Sequence, residues 1–138
     1  MCNQVPLATL GDMIKILLVD DDPNIRRGVR MHLVLESDIS VVGEAGDGWE
    51  ALRLARELQP DVVVMDIRLP YLDGLSAAER LYESQHQCAV IILTLYDEPS
   101  NRERAKQIGV AAFIPKQKTD GELVNAIRNA ILEKGENK

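Results

Sequence analysis

Cysteine, aromatic residues and long hydrophobic runs are all scarce in this chain of 138 residues. The two cysteines, Cys2 and Cys88, lie far apart and lack the spacing of metal ligands, which favours reduced thiols over a disulfide framework. No apolar run approaches the roughly 20 residues that a transmembrane helix needs. Residues 1–12 lack the positively charged start and the apolar stretch of a signal peptide. We therefore expect a cytoplasmic protein without a membrane segment.

Positive charge is also in deficit, with 16 Lys and Arg against 22 Asp and Glu and a net charge of −6. Proteins that bind nucleic acid usually need a basic face, so direct nucleic-acid binding by this chain is not expected. A hydrophobic content of 46% is enough for the core of one domain. We place that domain at 13–134, after a loose N-terminal extension at 1–12 and before a tail or linker start at 135–138.

The chain does contain four short apolar runs, and each of them ends on a polar side chain. The runs are Ile16–Val19 before Asp20 and Asp21, Val62–Met65 before Asp66, Val90–Leu93 before Thr94, and Ala111–Pro115 before Lys116. Such runs are typical of strands buried on both faces of a parallel sheet, whose C-terminal strand ends share one ligand-binding edge. Carboxylates gathered there are suited to a hard divalent cation, and a lysine to an anionic group.

Segments with helical periodicity alternate with these runs. Asp22 is the predicted N-cap of a first helix that runs from Pro23 through Leu33. A second strand is predicted at Val41–Ala45. Four more helices are predicted, opened by Asp47 (ending before Pro60), Asp73 (through Leu81), Pro99 (through Ile108) and Thr119. The alternation predicts a (βα)5 α/β fold with a doubly wound parallel sheet and right-handed crossovers.

These residues resemble the receiver domain of two-component response regulators, over nearly everything from Lys15 to Glu133. The acidic pair after strand one, the aspartate that ends strand three within Pro60–Gly74, the threonine that ends strand four and the lysine that ends strand five stand in the family's order. The stretch from Val41 to Leu81 is most similar to the NarL/FixJ-like branch of transcription regulators. The resemblance implies the flavodoxin-like strand order 2-1-3-4-5.

The resemblance also implies a metal site and a phosphoacceptor. Asp66 would accept a phosphoryl group from a phosphohistidine on a partner sensor histidine kinase. Asp21 would bind Mg²⁺ directly and Asp20 mainly through water, while Asp66 and the backbone carbonyl of Arg68 would complete the protein ligands. Lys116 would neutralise charge on the transferred group.

By the same resemblance, Thr94 would bond a phosphoryl oxygen, and Phe113 would occupy the position of an aromatic switch residue. Phosphorylation would shift a two-state equilibrium on the face formed by helix four, strand five and helix five. The polar segment Glu98–Gln107, which is apolar only at Ala105, is the expected moving part. The implied consequences are altered partner binding, control of a C-terminal helix-turn-helix output domain, and homodimerisation on phosphorylation.

Several positions depart from the family's pattern. Leu95 stands where a small residue is usual, and Arg68 and Tyr96 are also bulky, so we expect them to crowd the approach of water to a phosphoryl group. The peptide after Lys116 leads to Gln117 rather than proline, and the sequence leaves its isomer open. Pro115 is tolerable if strand five lies at a sheet edge.

Other interpretations stay open at this point. We interpret Asp22, Asp47 and Asp73 as helix caps. Phe113 could instead be an ordinary core residue. Trp49 is expected at the surface. His32 and His86 are too isolated for a metal site. A Mg²⁺-dependent phosphatase with an aspartate nucleophile would also transfer phosphate to an aspartate at a strand end. That class needs a second acid two residues further on, where this chain has Arg68. A receiver-like module that is never phosphorylated is the third possibility.

Overall fold

The structure is a computed structural model that describes residues 13–84, 87–118 and 121–136. Within them, five strands alternate with five α-helices, as the sequence predicts. The elements are β1 (Ile14–Val19), α1 (Pro23–Leu33), β2 (Ile39–Ala45), α2 (Gly48–Leu58), β3 (Val62–Met65), α3 (Gly74–Glu83), β4 (Ala89–Thr94), α4 (Pro99–Ile108), β5 (Ala112–Pro115) and α5 (Glu122–Glu136), with a 3₁₀ turn at Lys116–Lys118.

All strand pairs are parallel, and the sheet order is β2-β1-β3-β4-β5, which confirms the implied order 2-1-3-4-5. The register places Val19 of β1 opposite Met65 of β3, and Thr94 of β4 opposite Pro115 of β5. The chain therefore leaves β1, β3, β4 and β5 at one edge of the sheet, here called the carboxyl edge. The four predicted site segments all lie at this edge.

Two apolar layers cover the two faces of the sheet, because successive strand side chains point to opposite faces. Leu17 and Val63 belong to the layer shared with α2, α3 and α4, whereas Ile16 and Val62 belong to the layer shared with α1 and α5. Every residue of β3 and β4 is buried. Full burial of one such aliphatic side chain stabilises the fold by roughly 1.5 to 3 kcal/mol.

The three predicted caps are confirmed, since Asp22, Asp47 and Asp73 each accept a hydrogen bond from a backbone N–H in the first turn of the following helix. Asp47 and Glu50 have the spacing of a capping box, and the arrangement at α2 differs from that motif in one respect. The Glu50 carboxylate accepts from the N–H of Gly46 at 2.8 Å, one residue before the cap. The interaction still ties the loop after β2 to the start of α2.

Some element boundaries differ from the prediction. Strand β2 begins at Ile39, two residues earlier than predicted, because Ile39 pairs with Ile14 and packs in the core although polar Ser40 interrupts the apolar pattern. Helix α3 continues to Glu83 rather than Leu81. Helix α5 is described from Glu122 and continues to 136, into the predicted tail.

Several sequence predictions fall on residues outside the described ranges: the extension 1–12 with Cys2, the isolated His86, and the helix start at Thr119. Within the described ranges, Cys88 is buried, and no helix is long and apolar enough to cross a membrane. The Lys116–Gln117 peptide is trans.

Helix α4 has the weak apolar anchorage that its sequence predicts. Its single buried residue is Ala105, and the side chain of its N-cap residue, Glu98, makes no capping hydrogen bond. By contrast, α3 buries five residues. Few buried contacts are the mark of an element that opens or moves at low free-energy cost.

Candidate functional site

Strand pairing carries two aspartates to adjacent positions on the carboxyl edge. The N–H of Asp20, directly after β1, donates to the carbonyl of Ala45 at 3.1 Å. The N–H of Asp66, directly after β3, donates to the carbonyl of Val19 at 3.0 Å. These bonds extend the sheet ladder by one residue and fix the backbone from which both carboxylates project.

The carboxylates of Asp20, Asp21 and Asp66 form one cluster. An oxygen from each lies within 4.8 Å of the oxygens of the other two. Asp20 and Asp66 are buried, with 6% and 5% of their surface exposed, whereas Asp21 is exposed. Like charges at this spacing repel one another, and burial strengthens the repulsion because water screens it poorly there.

Lys116 supplies the positive charge that faces this cluster. Its Nζ donates to Asp20 Oδ2 at 2.7 Å and to Asp66 Oδ2 at 3.0 Å, and only 11% of its side chain is exposed. Burial alone would lower the pKa of the Lys116 ammonium, but the hydrogen bonds to the two carboxylates outweigh burial and the pKa lies above its ordinary value. Lys116 is therefore a charged, fixed cation in the site.

The second oxygen of each buried carboxylate is held by the backbone. Asp20 Oδ1 accepts from the N–H of Asp22 at 2.9 Å, and Asp66 Oδ1 accepts from the N–H of Ile67 at 2.7 Å. Burial raises the pKa of the Asp20 carboxyl, and its hydrogen bonds from Lys116 and Asp22 offset this only in part. A carboxylate has about four lone-pair sites, so both groups keep acceptor capacity for a cation.

Thr94 ends β4 at the same edge and is fully buried. Its Oγ1 accepts a hydrogen bond from the N–H of Tyr96 at 3.0 Å. The hydroxyl proton is not used in that bond, so Thr94 has a donor for an anionic oxygen.

Phe113 is half-buried in β5, and its ring lies under the guanidinium of Arg102, whose Cζ is 4.8 Å from the ring centroid. Arg102 belongs to α4 and also forms an ion pair with Asp97. This cation–π contact links the poorly anchored helix to the predicted switch residue.

The three bulky residues, Arg68, Leu95 and Tyr96, lie just after the ends of β3 and β4. The Arg68 guanidinium stacks on the Tyr96 ring, with Cζ 3.9 Å from the centroid. Leu95, directly after β4, is 52% exposed. Arg68 and Tyr96, which lie two residues beyond Asp66 and Thr94, thus contact each other across the strand ends. A cover over the site would require such a contact.

Two residues that support the site were missed by the sequence analysis. A Cβ built on Gly74 would lie 1.9 Å from the carbonyl oxygen of Asp66, so any larger residue would displace the Asp66 backbone. Arg26 of α1 donates from Nη1 to the carbonyl oxygen of Asp20. The sequence signal for Gly74 was its place after the cap Asp73, and no signal pointed to Arg26.

The model of the response regulator receiver domain family matches residues 16–128. The chain belongs to this family. Response regulator GacA of Pseudomonas aeruginosa is 40% identical over 116 residues, covering 84% of this chain and 54% of GacA. Transcriptional regulatory protein LiaR of Bacillus subtilis is 36% identical, over 91% of this chain and 59% of LiaR. The chain thus spans a little over half the length of the curated relatives it matches.

Among solved structures, the signal receiver domain of the response regulator NarL from Mycobacterium tuberculosis superposes with a TM-score of 0.80. It is 33% identical and covers 92% of this chain and 99% of that chain. The receiver fold and the membership in the response regulators of two-component systems are therefore confirmed. The similarity to NarL-type and transcriptional regulators agrees with the branch indicated by the sequence.

The receiver structure brings Asp20, Asp21, Asp66 and Lys116 together and places Thr94 at the neighbouring strand end. The acid cluster fits Mg²⁺, because three carboxylates converge against a single ammonium and oxygen is the ligand that this ion prefers. His32 belongs to no such group in the described part of the chain. The predicted role of the Arg68 carbonyl stays a prediction.

Proposed function

We propose that Asp66 is the phosphoacceptor of this receiver domain. The observation that carries the proposal is the buried Asp66 carboxylate, which lies in a cluster with Asp20 and Asp21 and is bonded to Lys116. A carboxylate oxygen would attack the phosphorus of a phosphohistidine on a sensor histidine kinase. The new P–O bond would form as the P–N bond breaks, which leaves an acyl phosphate on Asp66 and returns the electron pair to the histidine.

The neighbouring residues would supply charge neutralisation and orientation, the main requirements of phosphoryl transfer. Asp21 and Asp66, with Asp20 through water and the Arg68 carbonyl, would hold Mg²⁺, which supplies positive charge for the phosphoryl oxygens. Lys116 would offer its ammonium to one phosphoryl oxygen, and the Thr94 hydroxyl would donate to another.

We further propose that phosphorylation acts through α4 and Phe113. Movement of Thr94 toward a phosphoryl oxygen would change the space beside β5, where Arg102 covers the Phe113 ring. Weak anchorage of α4 favours this route. Because LiaR is named as a transcriptional regulatory protein and extends beyond the matched region, the proposed output is transcription, through a DNA-binding domain and a phosphorylation-dependent homodimer.

The proposal is tested by incubating the chain with acetyl phosphate, with and without Mg²⁺, and measuring the intact mass. The parent should gain the mass of one phosphoryl group, and only with Mg²⁺. Asp66→Asn should gain none. Asp61→Asn is the matched control, because Asp61 belongs to the opposite edge, where its carboxylate accepts from the N–H of Lys15 at 2.9 Å.

Each of the alternative functions predicts a different result. No adduct in the parent at saturating donor and Mg²⁺ would contradict the proposal and favour a module that is not phosphorylated. Continuous release of inorganic phosphate over many turnovers would contradict it in favour of the phosphatase. An adduct of equal size in Asp66→Asn would move the acceptor to another residue.

A further inference from the structure

The backbone of Asp20 is fixed on both sides by hydrogen bonds with other elements. Its N–H donates to the carbonyl of Ala45 in β2, and its carbonyl oxygen accepts from Nη1 of Arg26 in α1. The Asp20 carbonyl belongs to the peptide that connects Asp20 to Asp21, the two acids proposed to hold Mg²⁺. Its orientation therefore sets the directions in which both carboxylates leave the backbone.

Arg26 is held in place by an ion pair of its own. Its Nε donates to Glu44 Oε1 at 3.1 Å, and the other oxygen of Glu44 is 3.1 Å from Nε of Arg30. The Arg26 side chain is only 20% exposed. The planar guanidinium binds Glu44 through Nε and the Asp20 carbonyl through Nη1, and the single nitrogen of an ammonium does not reproduce this two-nitrogen geometry.

We infer that Arg26 is a positioning residue for the metal-binding acids: it acts through the Asp20 carbonyl and holds Asp20 and Asp21 in the orientation that binds Mg²⁺. The inference rests on the proposed function. Removal of a group that hydrogen-bonds to a metal-binding residue and orients it typically weakens metal affinity by about 10- to 100-fold.

The charge of Arg26 acts in the opposite direction from its positioning role. The Arg26 guanidinium, bonded to the backbone of Asp20, would repel a divalent cation in the neighbouring acid cluster, so loss of its charge alone would tighten Mg²⁺ binding. Loss of the hydrogen bond to Asp20 would weaken Mg²⁺ binding. A purely structural role would lower thermal stability and leave the affinity unchanged. The sign of the change in affinity thus separates the three roles.

The experiment measures the dissociation constant of Mg²⁺ by titration calorimetry, with thermal unfolding recorded on the same samples. Arg26→Met should bind Mg²⁺ about tenfold more weakly than the parent. Arg26→Lys keeps the charge but replaces the two-nitrogen fork with a single donor nitrogen, and its affinity should fall between the two. Arg30→Met is the matched control, because Arg30 lies on the same helix and pairs with the same Glu44. Its affinity for Mg²⁺ should not be weakened.

Unchanged or tighter binding in Arg26→Met would overturn the inference, as would equal weakening in Arg30→Met. If Arg26→Met does not fold, Arg26→Lys decides: weaker binding than the parent supports the positioning role, and parent-like binding overturns it. If the parent itself binds no Mg²⁺, the metal site of the proposed function fails and the inference fails with it. If the parent binds Mg²⁺ and only the Arg26 prediction fails, the proposed function is unaffected.

Discussion

Two of the clusters of acidic and basic side chains in the described residues lie at opposite edges of the sheet. At the carboxyl edge, Asp20, Asp21 and Asp66 share the ammonium of Lys116, and most of the group is buried. The opposite edge, where the parallel strands begin, is here called the amino edge. There, Arg128 of α5 bonds to Asp38 at 2.8 and 2.9 Å and to Glu36 at 2.8 Å, with 41% of the Arg128 side chain exposed.

The difference lies in water access and in how well the charges are matched. At the amino edge the Arg128 guanidinium binds Asp38 through two parallel hydrogen bonds, and water screens the remaining negative charge. At the carboxyl edge one ammonium cannot neutralise three carboxylates, and water is largely excluded from two of them, Asp20 and Asp66. Burial combined with unmatched charge, and not the number of ion pairs, therefore marks the site that needs a cation.

Removal of the cation from each cluster should give the largest contrast. Without Mg²⁺, Lys116→Met should lower the free energy of unfolding by about 2 to 3 kcal/mol, because it leaves two buried carboxylates without their ammonium. Arg128→Met should cost much less, since its partners are half-exposed. Urea unfolding of both variants measures the difference. Equal losses would remove burial as the feature that distinguishes the two clusters.

Magnesium should stabilise the domain through the carboxyl edge alone. At a concentration about 100 times its dissociation constant, a ligand that binds only the folded state adds roughly 2.7 kcal/mol. Melting temperature should rise with Mg²⁺ in the parent and hardly at all in Asp21→Asn. Asp22→Asn is the control, because the adjacent Asp22 caps α1 and asparagine caps as well. A similar rise in all three proteins would exclude this metal site.

The carboxyl edge should also differ from the amino edge in how it excludes water. Leu95 and the stacked pair Arg68 and Tyr96 flank the strand ends. If they restrict the approach of water in line with the phosphorus, Leu95→Ala should lose its phosphoryl group about tenfold faster than the parent. Loss of the phosphorylated mass over time at constant Mg²⁺ measures the rate. Decay no faster than that of the parent would show that Leu95 is not the barrier.

The smallest expected effect is a pH dependence at the amino edge. The hydrogen bonds from Arg128 lower the pKa of the Asp38 carboxyl below its ordinary value. Asp38 therefore contributes stability above its unfolded pKa of about 3.9, and the contribution is lost as pH falls through the folded pKa. Asp38→Asn should lose less stability than the parent between about pH 6 and pH 3, and Arg128→Met should behave alike. A parent-like slope in Asp38→Asn would contradict this assignment.

Most of the carboxyl edge was predictable from the sequence, because the ends of buried parallel strands must meet there. Asp20, Asp66, Thr94 and Lys116 each follow or end such a run, so the fold itself brings them together. The helix caps were equally readable, because a cap lies next to the helix that it begins.

The residues that support the backbone of the site, Arg26 and Gly74, could not be predicted in the same way. The contact of Arg26 with Asp20 depends on the rotamer of a long side chain, and the need for glycine at position 74 depends on a close approach to the Asp66 backbone. The bond between Arg128 and Asp38 joins residues 90 positions apart. Such contacts are set by packing distances across the fold, which no local pattern records.

The most direct test of the central claim is to map the phosphoryl group to a residue. After treatment with acetyl phosphate and Mg²⁺, borohydride reduces an acyl phosphate to an alcohol, so a phosphorylated aspartate becomes homoserine and is located by peptide mass spectrometry. We expect conversion at Asp66 alone, dependent on Mg²⁺. Conversion at Asp20, at Asp21 or at an acid outside the cluster, with Asp66 unchanged, would contradict it.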